Sequence, residues 1–326
     1  MTENSNWVEC VPNVSSADLD LIALFQEHCA NHQHVILLHT DTNRAIERTV
    51  FTLVGSLAGI LNILHTLFDL LARKVDLQSY TSAHPHIGAL DVCPFILLTG
   101  ISHQEATEQI QAWCQEVSQQ HNLPIFKYNP TAKIPVQRHL VYFRRGGLQR
   151  LTQRMTEENL IPAYGPALPH PRFGATVVGI RKIMVAYNIN LVGGKVQLAK
   201  EIASSLRSTN TNSPFINLKA IGWYAADFER AQVSINIYDV KDGILRDVFD
   251  HCVTLAAQKG AILNGSELIG LTPLRALARN LSIASSGAEI KSAAAALGLN
   301  SVKHFEPTEH VLDLCFLKQT GISFHF

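Results

Sequence analysis

From Leu53 to Leu71 the chain is almost unbroken apolar sequence, and what this stretch becomes constrains everything around it. Its polar residues decide. Gly59, Asn62, Thr66, Asp69 and Arg73 recur at alternating spacings of three and four, which places them on one side of a helix over Ser56 to Lys74 with a wide buried arc, not in a membrane span. Such a helix needs a sheet to cover, and the neighbouring sequence supplies strands: Arg48 to Val54, rich in Thr, Val and Phe, and the buried run Leu90 to Leu98. With a strand near Trp7 to Val11, a helix over Ala17 to Cys29 and a strand over His34 to Leu38, the order is βαββαβ. That order is a split βαβ unit with both helices on one face of a four-stranded sheet.

A helix follows from Ser102, where Ser102 and Glu105 have the spacing of a capping box ahead of Ala106, Ile110, Trp113 and Val117. Leu123 to Tyr128 reads as one more strand. The element order then repeats without visible sequence identity: strand Lys182 to Leu191, helix Lys195 to Leu206, strands Phe215 to Tyr224 and Gln232 to Val240, helix Ile244 to Gln258 and strand Ala261 to Leu263. Thr272-Pro273 opens a further helix. The expected fold class is therefore α/β (α+β), with two similar subdomains, 1–180 and 181–326, each a ferredoxin-like sheet, and a ligand crevice between them. The segment before the joint carries Pro162, Pro166, Pro169, Pro171, Gly165, Gly174 and Gly179, and reads as too irregular for the interior of an element.

A chain of 326 residues with 47% hydrophobic and 17% charged residues can bury a large core. Lysine plus arginine equals aspartate plus glutamate at 27 each, so no overall field recruits nucleic acid or an anionic membrane, and an anionic ligand must be met locally. Six scattered cysteines without a Cys-x-x-Cys pair read as reduced, buried thiols. The N-terminus lacks a basic region followed by an apolar core, and a cytoplasmic protein is expected.

Chemistry concentrates on Ser82 to Phe95. Pro85 biases His84 away from helical geometry and Gly88 allows a tight turn, so the His84 imidazole is delivered to the mouth of an apolar strand, where it can move protons near neutral pH. A histidine satisfied by backbone groups is the ordinary alternative. His84 with His86, and His32 with His34, could suggest a metal, but no third ligand of matching spacing is evident and no metal is expected. Asp41 could orient an imidazole, or could be a turn aspartate bonding its own backbone. Arg48, Arg138, Arg144, Arg145, Arg181 and Lys182 lie at strand ends or loops where guanidinium forks can take carboxylates, and Arg48 and Arg145 are chosen as substrate contacts. Nucleotide-phosphate loops, Gly-x-Ser-x-Gly and His-Glu-x-x-His patterns do not occur.

The stretch His84-Pro85-His86-Ile87-Gly88-Ala89-Leu90-Asp91-Val92-Cys93-Pro94-Phe95 resembles the histidine loop of the glutamate formimidoyltransferase (formiminotransferase) family, His-Pro-Arg-Met-Gly-Ala-Leu-Asp-Val-Cys-Pro-Phe. Further ordered matches run along nearly the whole chain, among them Glu9 to Asn13, Arg48 to Thr52, Tyr164-Gly165-Pro166, Gly174 to Gly179, Asn188 to Leu191, Ile221 to Tyr224, Ala231 to Ser234 and Leu268 to Leu274.

The resemblance implies two α/β subdomains with folate between them, a homodimer, and transfer of a formimidoyl group between N-formimidoyl-L-glutamate and tetrahydrofolate in histidine degradation and one-carbon metabolism, with tetrahydrofolate as co-substrate and no metal. It implies His84 as general acid and base, with Asp41 setting its tautomer, and a folate-binding stretch over Gly165, Pro166, Ala167, Leu168, Pro169, His170, Pro171, Arg172, Phe173 and Gly174. Three departures stand out: His86 where the family usually has arginine, Glu47 where it has asparagine, and His170-Pro171-Arg172 in the folate loop. The end at Phe326 leaves the expectation of the transferase part alone, with the cyclodeaminase of bifunctional relatives on a separate chain. Formyl transfer between the same partners, and a non-catalytic folate-binding protein of the same fold, are the competing readings.

Overall fold

A computed structural model describes residues 6–44, 46–80, 85–128, 140–193, 195–225 and 229–326. The chain divides into two compact units, Met1–Lys182 and Ile183–Phe326. His84 and Arg138 lie outside the described residues.

In the first unit, β1 (Trp7–Cys10) and β2 (Asn13–Val14) together form one central strand that pairs antiparallel with β4 (Arg48–Gly55) on one side and β5 (Leu90–Thr99) on the other. The break between them falls at Pro12, which has no N–H to give; its carbonyl still accepts from Phe51 N at 3.1 Å, so the ladder continues across the gap. Outside β4 lies β3 (Val35–Asn43), giving the order β3-β4-β1/β2-β5 for this antiparallel part.

Helices α1 (Leu19–Ala30), α2 (Leu57–Lys74) and α3 (His103–His121) share one core with Val8, Cys10, Val14, Phe51, Leu53, Cys93 and Phe95 of the sheet. In α2 the buried arc is Leu57, Ile60, Ile63, Leu64, Leu67, Phe68 and Leu71, as the periodicity requires. Gly59 is the exception to the expected polar line: it is buried, because α2 passes over His34 there and an added Cβ would come within 2.9 Å of the His34 Cβ. Among the described residues no helix is long and apolar enough to cross a membrane. Ser102 Oγ caps α3 by accepting from Glu105 N at 3.1 Å. The full reciprocal box occurs instead at Ser286 and Glu289.

The segment before the joint is more ordered than its glycines and prolines suggest. Thr176–Ile180 forms β7, which lies between β5 and β6 (Ile125–Lys127) and runs parallel to both. Gly179 belongs to that strand because a Cβ there would lie 2.3 Å from the Tyr128 carbonyl oxygen; it marks a close backbone approach, not a break. Two helices that the sequence reading did not assign, α4 (Leu140–Arg144) and α5 (Gly147–Glu157), pack Phe143, Leu151 and Met155 with Phe126 and Val177.

The second unit runs β8 (Val185–Leu191), α6 (Val196–Leu206), β9 (Leu218–Ala225), β10 (Arg230–Ile237), α7 (Ile244–Gln258) and β11 (Leu263–Ile269). Its sheet order, β11-β8-β10-β9 and antiparallel throughout, puts fourth, first, third and second strands side by side, the same order as β5, β1/β2, β4 and β3. The expected βαββαβ unit is thus present twice. Val233, Ile235 and Ile237 point to the core under α6 and α7, and Gly222 lets α6 sit directly on β9, since a Cβ would meet backbone of Ala199 and Lys200 at 2.2 Å. The helix opened by Pro273 is one turn, α8 (Leu274–Leu277), and α9 (Gly287–Ala296), α10 (Pro307–His310) and α11 (Leu312–Thr320) complete the unit. All six cysteines are buried and free.

Candidate active site

The described part of the histidine loop is held by its neighbours on three sides. Ser15 donates from Oγ to the Gly88 carbonyl at 2.8 Å, and Ser15 N donates to the Ala89 carbonyl at 2.9 Å. Ala89 N reaches the Phe173 carbonyl at 2.8 Å, and Ala175 N the Ile87 carbonyl at 2.8 Å. Gly88 permits this: a Cβ would lie 1.9 Å from the Ala175 oxygen. The loop and the end of the Gly165 to Gly174 stretch are therefore stitched together by backbone.

At the loop's end Asp91 is fully buried, yet it sits in an apolar strand run. A carboxylate in that position demands partners. Its Oδ1 accepts from Ile87 N at 2.9 Å, and its Oδ2 lies 3.1 Å from Arg48 Nη2 and 3.0 Å from Arg144 Nε. The Arg48 contact is a hydrogen bond, whereas Arg144 Nε is close without being aimed at the oxygen. Arg48 Nη2 also donates to Asn13 Oδ1 at 2.8 Å, and Arg144 Nη2 to the Pro85 carbonyl at 3.4 Å. Two guanidiniums against one carboxylate leave one net positive charge in a neutral chain. Burial pushes Arg48 down to about 10, helped by the Arg144 charge and opposed by Asp91, so it remains protonated at neutral pH.

Asp41 is not in a turn. Strand β3 continues through Asn43, because β4 offers a long partner, and Asp41 pairs with Val50. Arg48, two residues from Val50, shares that face of the sheet. Glu47, just before Arg48, has a left-handed φ of 47° and a buried Oε2 with no hydrogen-bond partner; asparagine tolerates that backbone better. Tyr80 Oη donates to the Ile46 and Glu47 carbonyls at 3.1 Å each, and its ring lies edge-on to His86 with centroids 3.9 Å apart.

Arg145 is exposed, and it is the neighbouring Arg144 that reaches Asp91. Arg154 explains the difference: it is buried, donates to the Tyr142 carbonyl and to the Arg145 carbonyl at 3.4 Å, and so fixes the end of α4 with Arg144 turned inward. Within the 165–174 stretch, Gly165, Ala167, Leu168, Pro171 and Arg172 are exposed and Pro166, Pro169 and His170 half-buried. His170 Nδ1 accepts from Arg172 N at 3.2 Å and Phe173 N at 3.0 Å, folding the loop on itself, while Arg172 Nε pairs with Asp76 at 3.1 Å. Phe173 is in the core, stacked on Phe68 at 5.5 Å, and Gly174 takes φ 78° against the Ile87 carbonyl. Among the described residues no group of three His, Cys, Asp or Glu could hold a metal.

Asp91, Arg144, Arg154, Asn13 and Tyr80 were not chosen from the sequence. Arg144 stood among the candidate cations, and Asp91 carried a signal of its own: a lone carboxylate inside an apolar run.

Comparison with known proteins accounts for both units. Residues 7–181 match the formiminotransferase domain, N-terminal subdomain, and residues 186–317 match the formiminotransferase domain. The glutamate formimidoyltransferase of Streptococcus pyogenes serotype M1 is 32% identical over 271 residues, covering 83% of this chain and 90% of that protein. The formimidoyltransferase-cyclodeaminases of Dictyostelium discoideum and Mus musculus are 30% and 32% identical over 94% and 95% of this chain, and the chain spans 59% and 60% of their length. With both subdomain patterns matched in order across two units of the same strand order, the chain belongs to the formiminotransferase family.

Proposed function

We propose that this protein transfers a formimidoyl group between N-formimidoyl-L-glutamate and tetrahydrofolate, in the cytoplasm and as a homodimer, within histidine degradation. The observation that carries the reading is the buried Asp91 gathering Arg48 and Arg144, a local positive site in a chain with no net charge, tied by backbone to the loop that bears His84 and to the 165–174 stretch.

In this reading the two guanidiniums attract the carboxylates of the glutamate donor, and Asp91 keeps them together at a spacing their mutual repulsion opposes. His84 accepts the proton released at the attacking folate nitrogen and returns one to the departing glutamate nitrogen, and Asp41 sets which ring nitrogen carries it. Folate itself supplies the accepting amine when bound, with the exposed part of 165–174 as its contact surface. General acid and base action contributes ~10²- to 10⁴-fold, so positioning provides much of the remaining rate.

The test is a transfer assay with two donors on the same glutamate frame. Formimidoyl transfer faster than formyl transfer supports the reading. Faster formyl transfer establishes the alternative donor, and tight folate binding with neither transfer establishes a binding protein.

A further inference from the structure

The connection from β3 to β4 ends on a residue held against its own preference. Asn43 pairs with Arg48 across the hairpin, and Glu47, immediately before that pair, has φ 47°. A residue with a Cβ takes this left-handed region only under constraint, and glutamate lacks the short local hydrogen bond with which asparagine offsets the cost. The constraint is on view: Glu47 N donates to the Arg44 carbonyl at 3.2 Å, and Tyr80 Oη donates to the Ile46 and Glu47 carbonyls at 3.1 Å each. Backbone strain that the surroundings over-determine in this way marks a position kept for its side chain.

That side chain is a carboxylate with an unmet oxygen. Glu47 Oε2 is buried and has no hydrogen-bond partner, although the next residue carries a guanidinium. Arg48 is committed elsewhere, to Asp91 Oδ2 at 3.1 Å and to Asn13 Oδ1 at 2.8 Å. Glu47 as a whole is only half-buried, so a ligand can reach its carboxylate. Its place in the fold ties it to the chemistry already described. In the chain it adjoins Arg48, one of the two guanidiniums that Asp91 gathers; through Tyr80, whose ring lies edge-on to His86 with centroids 3.9 Å apart, it is joined to the loop in which His84 stands two residues before His86.

We infer that Glu47 is the residue that selects the donor, its carboxylate accepting from the terminal NH2 of a protonated formimidoyl group, the nitrogen that travels with the transferred carbon. A formimidoyl group is an amidine, cationic at neutral pH, and presents N–H donors at that end, whereas a formyl group presents a carbonyl oxygen there. Against the first the carboxylate makes a charge-assisted hydrogen bond; against the second it sets oxygen on oxygen, so one side chain both attracts and rejects. A site built to bond a substrate N–H discriminates strongly against the analogue that lacks it, because the site's own polar group is then left unmet. This assignment rests on the transferase reading above and adds to it the residue that tells the two donors apart.

The experiment compares N-formimidoyl-L-glutamate and N-formyl-L-glutamate as donors to tetrahydrofolate with the full chain as wild type, as Glu47→Gln, which keeps shape and removes the charge, and as Glu47→Asn, which also suits the left-handed backbone. In both variants the ratio of kcat/KM for the formimidoyl over the formyl donor should fall about tenfold or more, ~1.4 kcal/mol. A ratio unchanged in both overturns the inference. Should the variants fail to fold, calorimetric titration of the wild-type chain with each donor in the absence of folate decides: affinity about tenfold higher for the formimidoyl compound supports the assignment, and equal affinities overturn it. A chain that binds the formimidoyl compound more tightly but transfers nothing overturns the transferase reading alone; one that transfers formimidoyl with the wild-type donor ratio in both variants overturns this inference alone.

Discussion

Asp91 shows what a single buried charge does for this protein. Its carboxylate neutralises one of two guanidiniums and anchors the Ile87 N–H, so Asp91→Asn should leave Arg48 and Arg144 facing each other and lower stability by ~3–5 kcal/mol, the range for breaking a buried ion pair. Denaturant unfolding measures it; a loss under ~1 kcal/mol contradicts the account. Arg145→Ala, exposed, should change neither stability nor donor KM appreciably, whereas Arg144→Ala should raise the donor KM about tenfold or more through loss of a charge-assisted contact. Glu9 provides a pH signature. Burial raises it to about 7 against the pull of Arg181, so the folded state keeps a proton that the unfolded chain gives up near 4.5. The resulting stabilisation is complete below pH 4.5 and is lost as pH rises through 7, by ~3 kcal/mol, and Glu9→Gln should flatten that part of the stability profile. At this scale the sequence pointed to Arg48 and to the histidine loop, because residue type and local order carry that information. That Arg144 and not Arg145 reaches Asp91 was not legible, since it depends on Arg154, nine residues beyond Arg145, holding the Arg145 carbonyl.

Elements were legible wherever one side faced a core. Helix α2 and strand β10 follow from period, because an element buried on one face repeats its apolar residues at 3.6 or 2, whereas β4 and β5, buried at successive residues, follow from continuous apolar and β-branched composition. Strand β7 was hidden by Gly179, whose usual meaning in a loop is freedom and whose meaning here is lack of space. The same physics predicts that Gly222→Ala, whose Cβ would press on the α6 backbone, lowers stability by ~1–3 kcal/mol through overpacking, readable in the denaturation midpoint. Helices α4 and α5 were missed because Phe143, Leu151 and Met155 form a small satellite core with Phe126, too short a pattern to stand out.

Across the whole molecule the repeated strand order matters most. Each unit has its own contiguous core, so residues 183–326 alone should unfold cooperatively in denaturant; a gradual, non-cooperative loss of structure would contradict an independent core. Repetition also gives each unit one sheet face without α1 to α3 or α6 and α7, and both faces carry the polar residues that a core would reject: Glu9, Asp41 and Arg48 in one, Asn190, Gln232 and Glu267 in the other. The order of elements made the duplication visible in sequence, while the buried polar network of the second unit depends on cross-strand register, which no local pattern displays. In the proposed mechanism, transfer turns on one side chain of the first unit, His84. The most direct measurement is the rate of formimidoyl transfer to tetrahydrofolate by the wild-type chain and by His84→Ala, with folate affinity measured in both. The account predicts a ~10²- to 10⁴-fold slower rate in the variant with folate binding retained, and an unchanged rate would contradict it.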